Sequence, residues 1–210
     1  MKTPPSLPHL SLAVILGLTA CSQNEQATTA ESEAPAIDYT TLDDRAFAGE
    51  ARAVTDQLGT NLVAQMEAAI TTGGPAMAVE ICQSVAQPLT AATNDDFPGL
   101  SVRRTALRVR NPQNTPDATD RAVLEMWDDQ FPVGSDAEVP ADHIAQTEAG
   151  TRRYYRPIVT QPVCLTCHGP DDSLDPDVKT LIKKHYPEDQ ATGFQAGELR
   201  GVFRIEATQP

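Results

Sequence analysis

The spacing of apolar residues predicts two helices in the first half of the chain. Over about residues 41–71, apolar side chains recur every three or four positions, which is the period of an amphipathic helix. Gly73 and Gly74 end this helix, and Pro75 suits the first position of a second helix over about 75–93. We expect the two helices to pair across the short glycine turn.

The second half of the chain mixes strand and helix patterns. Apolar and arginine positions alternate towards the end of segment 101–110, which predicts a half-exposed strand, and residues 111–117 are dense in turn formers. The later predicted elements are a helix over 119–130, a hairpin over 142–148 and 151–159, a helix over 177–186 and a strand over 199–207. This order predicts an α+β fold with an antiparallel sheet.

The hydrophobic fraction and the net charge limit the classes of protein to which the chain can belong. The chain has 210 residues, of which 40% are hydrophobic, which is enough for the packed core of one domain. Its net charge of -13 argues against a nucleic-acid partner, because such a protein needs a basic face to neutralise phosphates.

The N-terminus has the features of a bacterial lipoprotein signal. A short apolar run, Leu10–Leu18, is followed by the sequence Leu-Thr-Ala-Cys, which ends at Cys21 and resembles a lipobox. The alternative is an ordinary secretory signal that happens to precede a cysteine. On the lipoprotein interpretation, acyl chains on Cys21 hold the protein on a membrane of the bacterial cell envelope, facing the periplasm.

These features divide the chain into three parts. Residues 1–20 are the predicted signal peptide. Residues 21–40 are polar, small and acidic, and therefore predict a flexible tether, with a surface helix as the alternative. Residues 41–210 form the predicted folded domain.

One motif carries specific chemistry. Cys164, Cys167 and His168 form a C-x-x-C-H sequence, which in an exported protein is typical of c-type haem attachment. Two thiols three residues apart can bond the two vinyl groups of one porphyrin, and the adjacent histidine can then bind the iron. A disulfide redox pair and half of a zinc site are the alternatives, but the motif follows a hairpin and no second cysteine pair exists. The sequence thus predicts one covalent haem c.

The other axial position of the iron has several candidates. Cys82 is the one cysteine left without a role, and its position with Ala78 and Val85 on the inner face of the second helix favours a small buried core residue. The remaining candidates are His143, His185, Met66, Met77 and Met126. Spacing alone does not choose among them.

Several segments, read in order, resemble a family of small c-type haem proteins with a PAS-like fold. The resemblance covers about residues 42–207 and rests on segments 78–86, 102–112, 153–158, 164–169 and 197–201, together with Asn114, Pro116 and Asp117. It implies a PAS-like antiparallel sheet with N-terminal helices and one haem packed between the sheet and the helices. The family's axial ligands are the motif histidine and a cysteine on the early helix, and these roles map onto His168 and Cys82.

This ligand pair implies a six-coordinate haem of low potential, because an anionic sulfur stabilises ferric iron. We therefore expect redox sensing or electron transfer with an unknown partner protein. The alternative is a haem enzyme or gas-binding protein that acts on nitric oxide or peroxide after the distal ligand dissociates. A haem-free structural lipoprotein is the third hypothesis. Donors for the alternative, or partners for haem propionates, would come from Arg108, Arg110, Arg152, Arg153 and Tyr154.

Cys21→Ser tests the lipobox. We expect the variant to be released from the membrane or to remain unprocessed, because serine offers no thiol for acylation. Membrane fractionation and the mass of the mature N-terminus measure this, with Ser22→Ala as a control that keeps the cysteine. Normal cleavage and membrane retention of Cys21→Ser would contradict the prediction.

Overall fold

The computed structural model describes residues 37–130 and 141–208. The predicted signal peptide, Cys21 and most of the predicted tether lie outside the described residues. Tyr39, which the sequence placed in the tether, is buried in the main core, and its carbonyl accepts a 2.7 Å hydrogen bond from Arg152. Tyr39 therefore packs with the domain, although the sequence assigned it to the tether.

The first long helix is interrupted by two glycines. Helix α1 (Asp44–Asp96) starts at Asp43, whose carboxylate accepts a 2.8 Å hydrogen bond from the Ala46 amide. Gly73 and Gly74 have non-helical backbone angles, and Gly74 has φ +77°, where glycine is favoured. The predicted helix pair is thus present as two arms, 44–72 and 75–96. We call these the first and second arms.

The rest of the described chain forms a four-stranded antiparallel sheet and three further helices. The sheet has the order β1-β4-β3-β2. Its strands are β1 (Leu100–Thr105), β2 (His143–Gln146), β3 (Arg152–Val159) and β4 (Leu199–Ala207). The helices are α2 (Ala118–Gln130), α3 (Leu165–His168) and α4 (Pro176–His185). The predicted α+β class with an antiparallel sheet is confirmed.

The sheet has a hydrophobic layer on each face. Side chains alternate along a strand, so the neighbouring Tyr154 and Tyr155 point to opposite faces. Tyr154 packs with Phe47, Val54 and other residues of the first arm. Tyr155 packs in a second cluster with Trp127 of α2. Helices therefore cover both faces.

A third, smaller cluster joins the second arm to α4. It consists of Val79 of the second arm and Val178 and Ile182 of α4, with Cys167 packed against them. Glu80 is 3.0 Å from His185, which adds a polar contact between the same two helices. This cluster brings the second arm to the segment that contains the C-x-x-C-H motif.

Strand β4 contains a β-bulge near its start. Ile158 pairs with Gly201, whereas the next residue of β3, Val159, pairs with Leu199. Arg200 is therefore the extra residue, and the bulge shifts the alternation of side chains on either side of it. Gly201 has φ +157°, and a Cβ there would lie 2.5 Å from the Thr105 carbonyl oxygen, so the close approach of β1 requires glycine.

The prediction that the first strand extends to residue 110 is wrong. Strand β1 ends at Thr105, and Leu107 and Val109 lie beyond the sheet despite their alternation. The Val109 carbonyl accepts a 2.9 Å hydrogen bond from the Gln190 amide, and Arg108 donates to the Thr192 carbonyl at 3.2 Å. Segment 106–110 is thus held by the loop after α4, which its own sequence does not reveal.

Within the described part of the chain, we found no helix that combines the length and the apolar character needed to cross a membrane.

Two valines of the first arm provide a matched test of the core. Val54 is 1% exposed, whereas Val63 is 48% exposed. We expect Val54→Ala to lower the free energy of unfolding by about 2 kcal/mol, because it removes two buried methyl groups and leaves a cavity. Val63→Ala should change it by less than about 0.5 kcal/mol. Equal losses in urea denaturation would contradict this packing.

Candidate functional site

The C-x-x-C-H motif lies on a short helix that is closed by a glycine. Cys164 ends a single turn, and Cys167 and His168 lie in α3. The Gly169 amide donates to the Leu165 carbonyl at 2.9 Å. A Cβ on Gly169 would lie 2.5 Å from that same oxygen, so the turn that follows the motif tolerates only glycine.

His168 is oriented by the loop that follows α4. Its Nδ1 lies 2.7 Å from the Ala191 carbonyl oxygen, a contact that requires a proton on Nδ1 and leaves the Nε2 lone pair free. The backbone holds the same loop, since the Phe194 amide donates to the His168 carbonyl at 2.9 Å. Burial, reinforced by Arg200 and Arg110, holds the pKa of His168 well below its usual range. The imidazole is therefore neutral and able to bind a metal through Nε2.

Arg110 connects the motif to this loop. Its guanidinium donates to the Cys167 carbonyl at 2.7 Å and to the Ala191 carbonyl at 3.1 Å. It also forms a two-point contact with the Asp189 carboxylate at 3.0 and 3.1 Å. Most of this ion pair is shielded from solvent. One side chain thus fixes both the motif and the carbonyl that orients His168.

Cys82 of the second arm faces the motif. It is one turn beyond Val79, which packs in the third cluster beside Cys167. The two sulfurs are close enough for Cys82 to raise the pKa of Cys167, in addition to the larger effect of burial. The structure therefore brings together Cys82, Cys164, Cys167 and His168, which the sequence singled out. Cys21 lies outside the described residues.

The expectation that Cys82 lies in an apolar setting on the inner face of its helix is wrong. Ala78 is buried, but the Cys82 side chain is exposed. Protein atoms around it still raise the pKa of its thiol through burial, while Arg104 and Arg110 lower it. The surroundings of the sulfur are cationic. Cys82 is therefore not a buried residue of the hydrophobic core.

Four arginines surround the motif and Cys82. We call Arg104, Arg108, Arg110 and Arg200 the arginine cluster. Phe194 contacts two of them: the Arg108 guanidinium carbon lies 3.4 Å from the centre of its ring, and that of Arg200 lies 5.2 Å away. The edge of the same ring meets His168, with 6.1 Å between ring centres. The cluster makes the surroundings of the motif positive in a chain whose net charge is -13.

Comparison with known proteins places the chain in a family. The sequence model of the Tll0287-like family matches residues 21–208. The chain belongs to the Tll0287-like family. A search of curated proteins found no match.

A solved structure has a similar fold. The crystal structure of the cyanobacterial heme-protein Tll0287 is similar to this structure with a TM-score of 0.60 and 24% sequence identity. The alignment covers 80% of this chain and 98% of the cyanobacterial one. At this level of identity, the likeness shows that the two proteins share a fold.

Some candidate residues lie elsewhere in this Tll0287-like structure. Arg152 donates to the carbonyls of Tyr39 and Leu42, and Arg153 pairs with carboxylates near α2. The Tyr154 hydroxyl donates to Asp142 at 3.3 Å. These three side chains are committed to the fold, so their predicted role beside a prosthetic group is wrong. Sequence reasoning missed Arg104, Arg200, Phe194 and the Ala191 carbonyl, which only the tertiary structure brings to the motif.

Three other candidate axial ligands, His143, His185 and Met126, contact other parts of the fold. His143 meets the Trp127 ring at 6.2 Å on the far edge of the sheet, and His185 contacts Glu80. Met77 is exposed, and Met126 packs against the second cluster. Within 37–130 and 141–208, no three His, Cys, Asp or Glu side chains converge to hold a metal ion.

Arg110→Lys tests the link between the motif and the loop. Lysine keeps the charge but cannot make the two-point contact with Asp189 and also reach both carbonyls. We expect a loss of about 2 kcal/mol in the free energy of unfolding. Arg45→Lys, on the exposed start of the first arm, is the control and should be neutral. Unfolding curves that coincide for the two variants would show that Arg110 does not hold these segments.

Proposed function

We propose that the protein is a c-type haem protein that holds one haem covalently through Cys164 and Cys167. His168 and Cys82 would be the two axial ligands of its iron. The observation that carries this proposal is the 2.7 Å contact between His168 Nδ1 and the Ala191 carbonyl. It leaves Nε2 available in the motif that carries the two thiols, with Cys82 nearby.

The residues present fit this group. The two motif thiols are three residues apart, as attachment to one porphyrin requires: Cys164 directly precedes α3, and Cys167 lies within it. A porphyrin supplies four equatorial nitrogens, so the protein needs only two axial ligands rather than a cage of three or four. Bound haem would supply one-electron chemistry between ferric and ferrous iron.

The cationic surroundings of Cys82 suit an anionic sulfur. Burial keeps the free thiol protonated, but the positive charge of ferric iron offsets the cost of a thiolate, and Arg104 and Arg110 act in the same direction. Thiolate ligation stabilises ferric iron and lowers the reduction potential. Reduction removes one charge from the iron, so we expect the iron–sulfur bond to weaken in the ferrous state.

Two occupied axial positions favour electron transfer or redox sensing over catalysis. The enzyme and gas-binding alternative needs donors beside an open iron site. Three of its five proposed donors, Arg152, Arg153 and Tyr154, are engaged elsewhere in the fold. We therefore propose a redox role, with an unknown partner protein that exchanges electrons or receives the signal.

The cellular setting of this proposal comes from the N-terminal sequence. The lipobox ending at Cys21 supports a lipid anchor on a membrane of the bacterial envelope, with the domain facing the periplasm. Covalent haem attachment through the motif thiols fits an exported protein.

Replacing the cysteines tests the attachment and the ligand separately. We expect the double variant Cys164→Ala, Cys167→Ala to lose its haem on a denaturing gel, because no thioether remains. Cys82→Ala should keep covalent haem, but its ferric absorption and EPR spectra should change to those of a high-spin or newly ligated iron. Its reduction potential should rise, because the anionic ligand is lost.

The two variants are controls for one another, since each removes cysteine while only one removes the attachment. Haem that remains on the denatured double variant would overturn the covalent site. An unchanged ferric spectrum and potential in Cys82→Ala would overturn the assignment of the distal ligand.

A further inference from the structure

The arginine cluster is only half neutralised by the protein. Arg110 pairs with Asp189 at 3.0 Å, and Arg108 pairs with Glu198 at 3.5 Å. Across residues 37–130 and 141–208, no carboxylate lies within ion-pair distance of Arg104 or Arg200. Among the described residues, two guanidinium groups of the cluster are therefore in excess.

Arg200 lies in a buried environment, where a charge without an ion-pair partner costs free energy. Burial lowers the pKa of its guanidinium to about 10. Its Nη1 donates to the Arg108 carbonyl at 3.1 Å, but its Nε is buried and has no hydrogen-bond partner within the described structure. Buried polar groups are nearly always hydrogen-bonded, because an unsatisfied donor loses its hydration without replacement. The Arg200 Nε thus lacks a hydrogen-bond acceptor within the described residues.

The local backbone places Arg200 in this position. It is the extra residue of the bulge in β4, and bulges change the direction in which a side chain points. The 5.2 Å contact with the Phe194 ring puts its guanidinium beside the residue that also meets His168. The bulge depends on Gly201, which has no Cβ to collide with the end of β1.

Arg104 reaches the same region from β1. Leu100 and Val102 belong to the main core under α1, and the two-residue alternation of a strand puts Arg104 on that same face. It is the last such position before the strand ends, near Cys82 of the second arm, and burial lowers its pKa. The two arginines that have no carboxylate partner among the described residues thus approach the motif from neighbouring strands.

We propose that Arg104 and Arg200 bind the two propionate carboxylates of the haem, so that each unpaired guanidinium acquires one carboxylate. This inference rests on the proposed function, because the propionates arrive with the haem. A guanidinium presents parallel N–H donors that match the two oxygens of a carboxylate. The Arg200 Nε would then gain the acceptor that it lacks.

The electrostatic consequence is measurable. A fixed positive charge near the iron disfavours the ferric state relative to the ferrous state, so Arg104 and Arg200 raise the reduction potential. They would oppose the effect of the Cys82 thiolate on the same iron. Removing either positive charge should therefore favour ferric iron.

The test uses Arg104→Met and Arg200→Met in the full-length holoprotein. At a fixed ambient potential, we expect the ferric-to-ferrous ratio to rise about tenfold in each variant. Arg104→Lys and Arg200→Lys keep the charge and should stay near the wild-type ratio. The Lys variants should nevertheless shift the infrared bands of the propionate carboxylates, since lysine offers no two-point contact.

Arg103→Met is the control, because Arg103 is adjacent in β1 but donates to the Gln113 and Thr115 carbonyls on the other side. It should leave the ratio unchanged. Wild-type ratios in the haem-loaded Met variants, or propionate bands that neither Lys variant shifts, would overturn the assignment. If a Met variant does not bind haem, the propionate infrared bands of the corresponding Lys variant decide whether that arginine contacts a propionate. Failure of the proposed function is distinct, since the wild-type protein would then carry no haem on a denaturing gel.

Discussion

The contacts of Arg110 hold together three segments that are distant in sequence. The guanidinium joins the segment that follows β1 to the Cys167 carbonyl and to the loop of Asp189 and Ala191. That loop in turn orients His168 through a carbonyl oxygen. The direction of the imidazole therefore depends on a buried ion pair, which keeps its geometry because both partners are largely withdrawn from water. The position of the motif follows from this network rather than from the short helix α3 alone.

The local charge of the site opposes that of the whole chain. Four guanidinium groups surround the motif, although the chain has 29 acidic residues and 16 basic ones. Bringing like charges together costs free energy, and burial adds to that cost. Two of the four charges are compensated by Asp189 and Glu198. Stability alone does not explain the remaining two, and such uncompensated charge is typical of a binding site.

The sequence predicted the parts of the fold that depend on local periodicity. The two arms, their glycine break, the hairpin and the last strand follow from spacings of three to four and two residues, and each is present. The C-x-x-C-H motif and Cys82 could also be chosen from the sequence, Cys82 with the help of the family resemblance.

What the sequence could not predict depends on contacts between distant segments. The alternation through Leu107 and Val109 resembles a strand, but the loop around Gln190 takes its backbone hydrogen bond. The sequence alone does not show that Arg152 and Arg153 differ from Arg104 and Arg200 in their ability to bind a ligand. The difference depends on the strand register, the bulge and the positions of the carboxylates. These determine which arginines form ion pairs within the described structure.

The glycine break separates two regions that are stabilised by different contacts. The first arm packs on the large core over the sheet, whereas the start of the second arm packs in the small cluster of Val79, Val178 and Ile182. Regions with few buried apolar contacts open at lower free energy than the whole domain. The segment around Cys82 should therefore behave as a separate cooperative unit, whose amide hydrogens exchange with solvent well before those of the sheet.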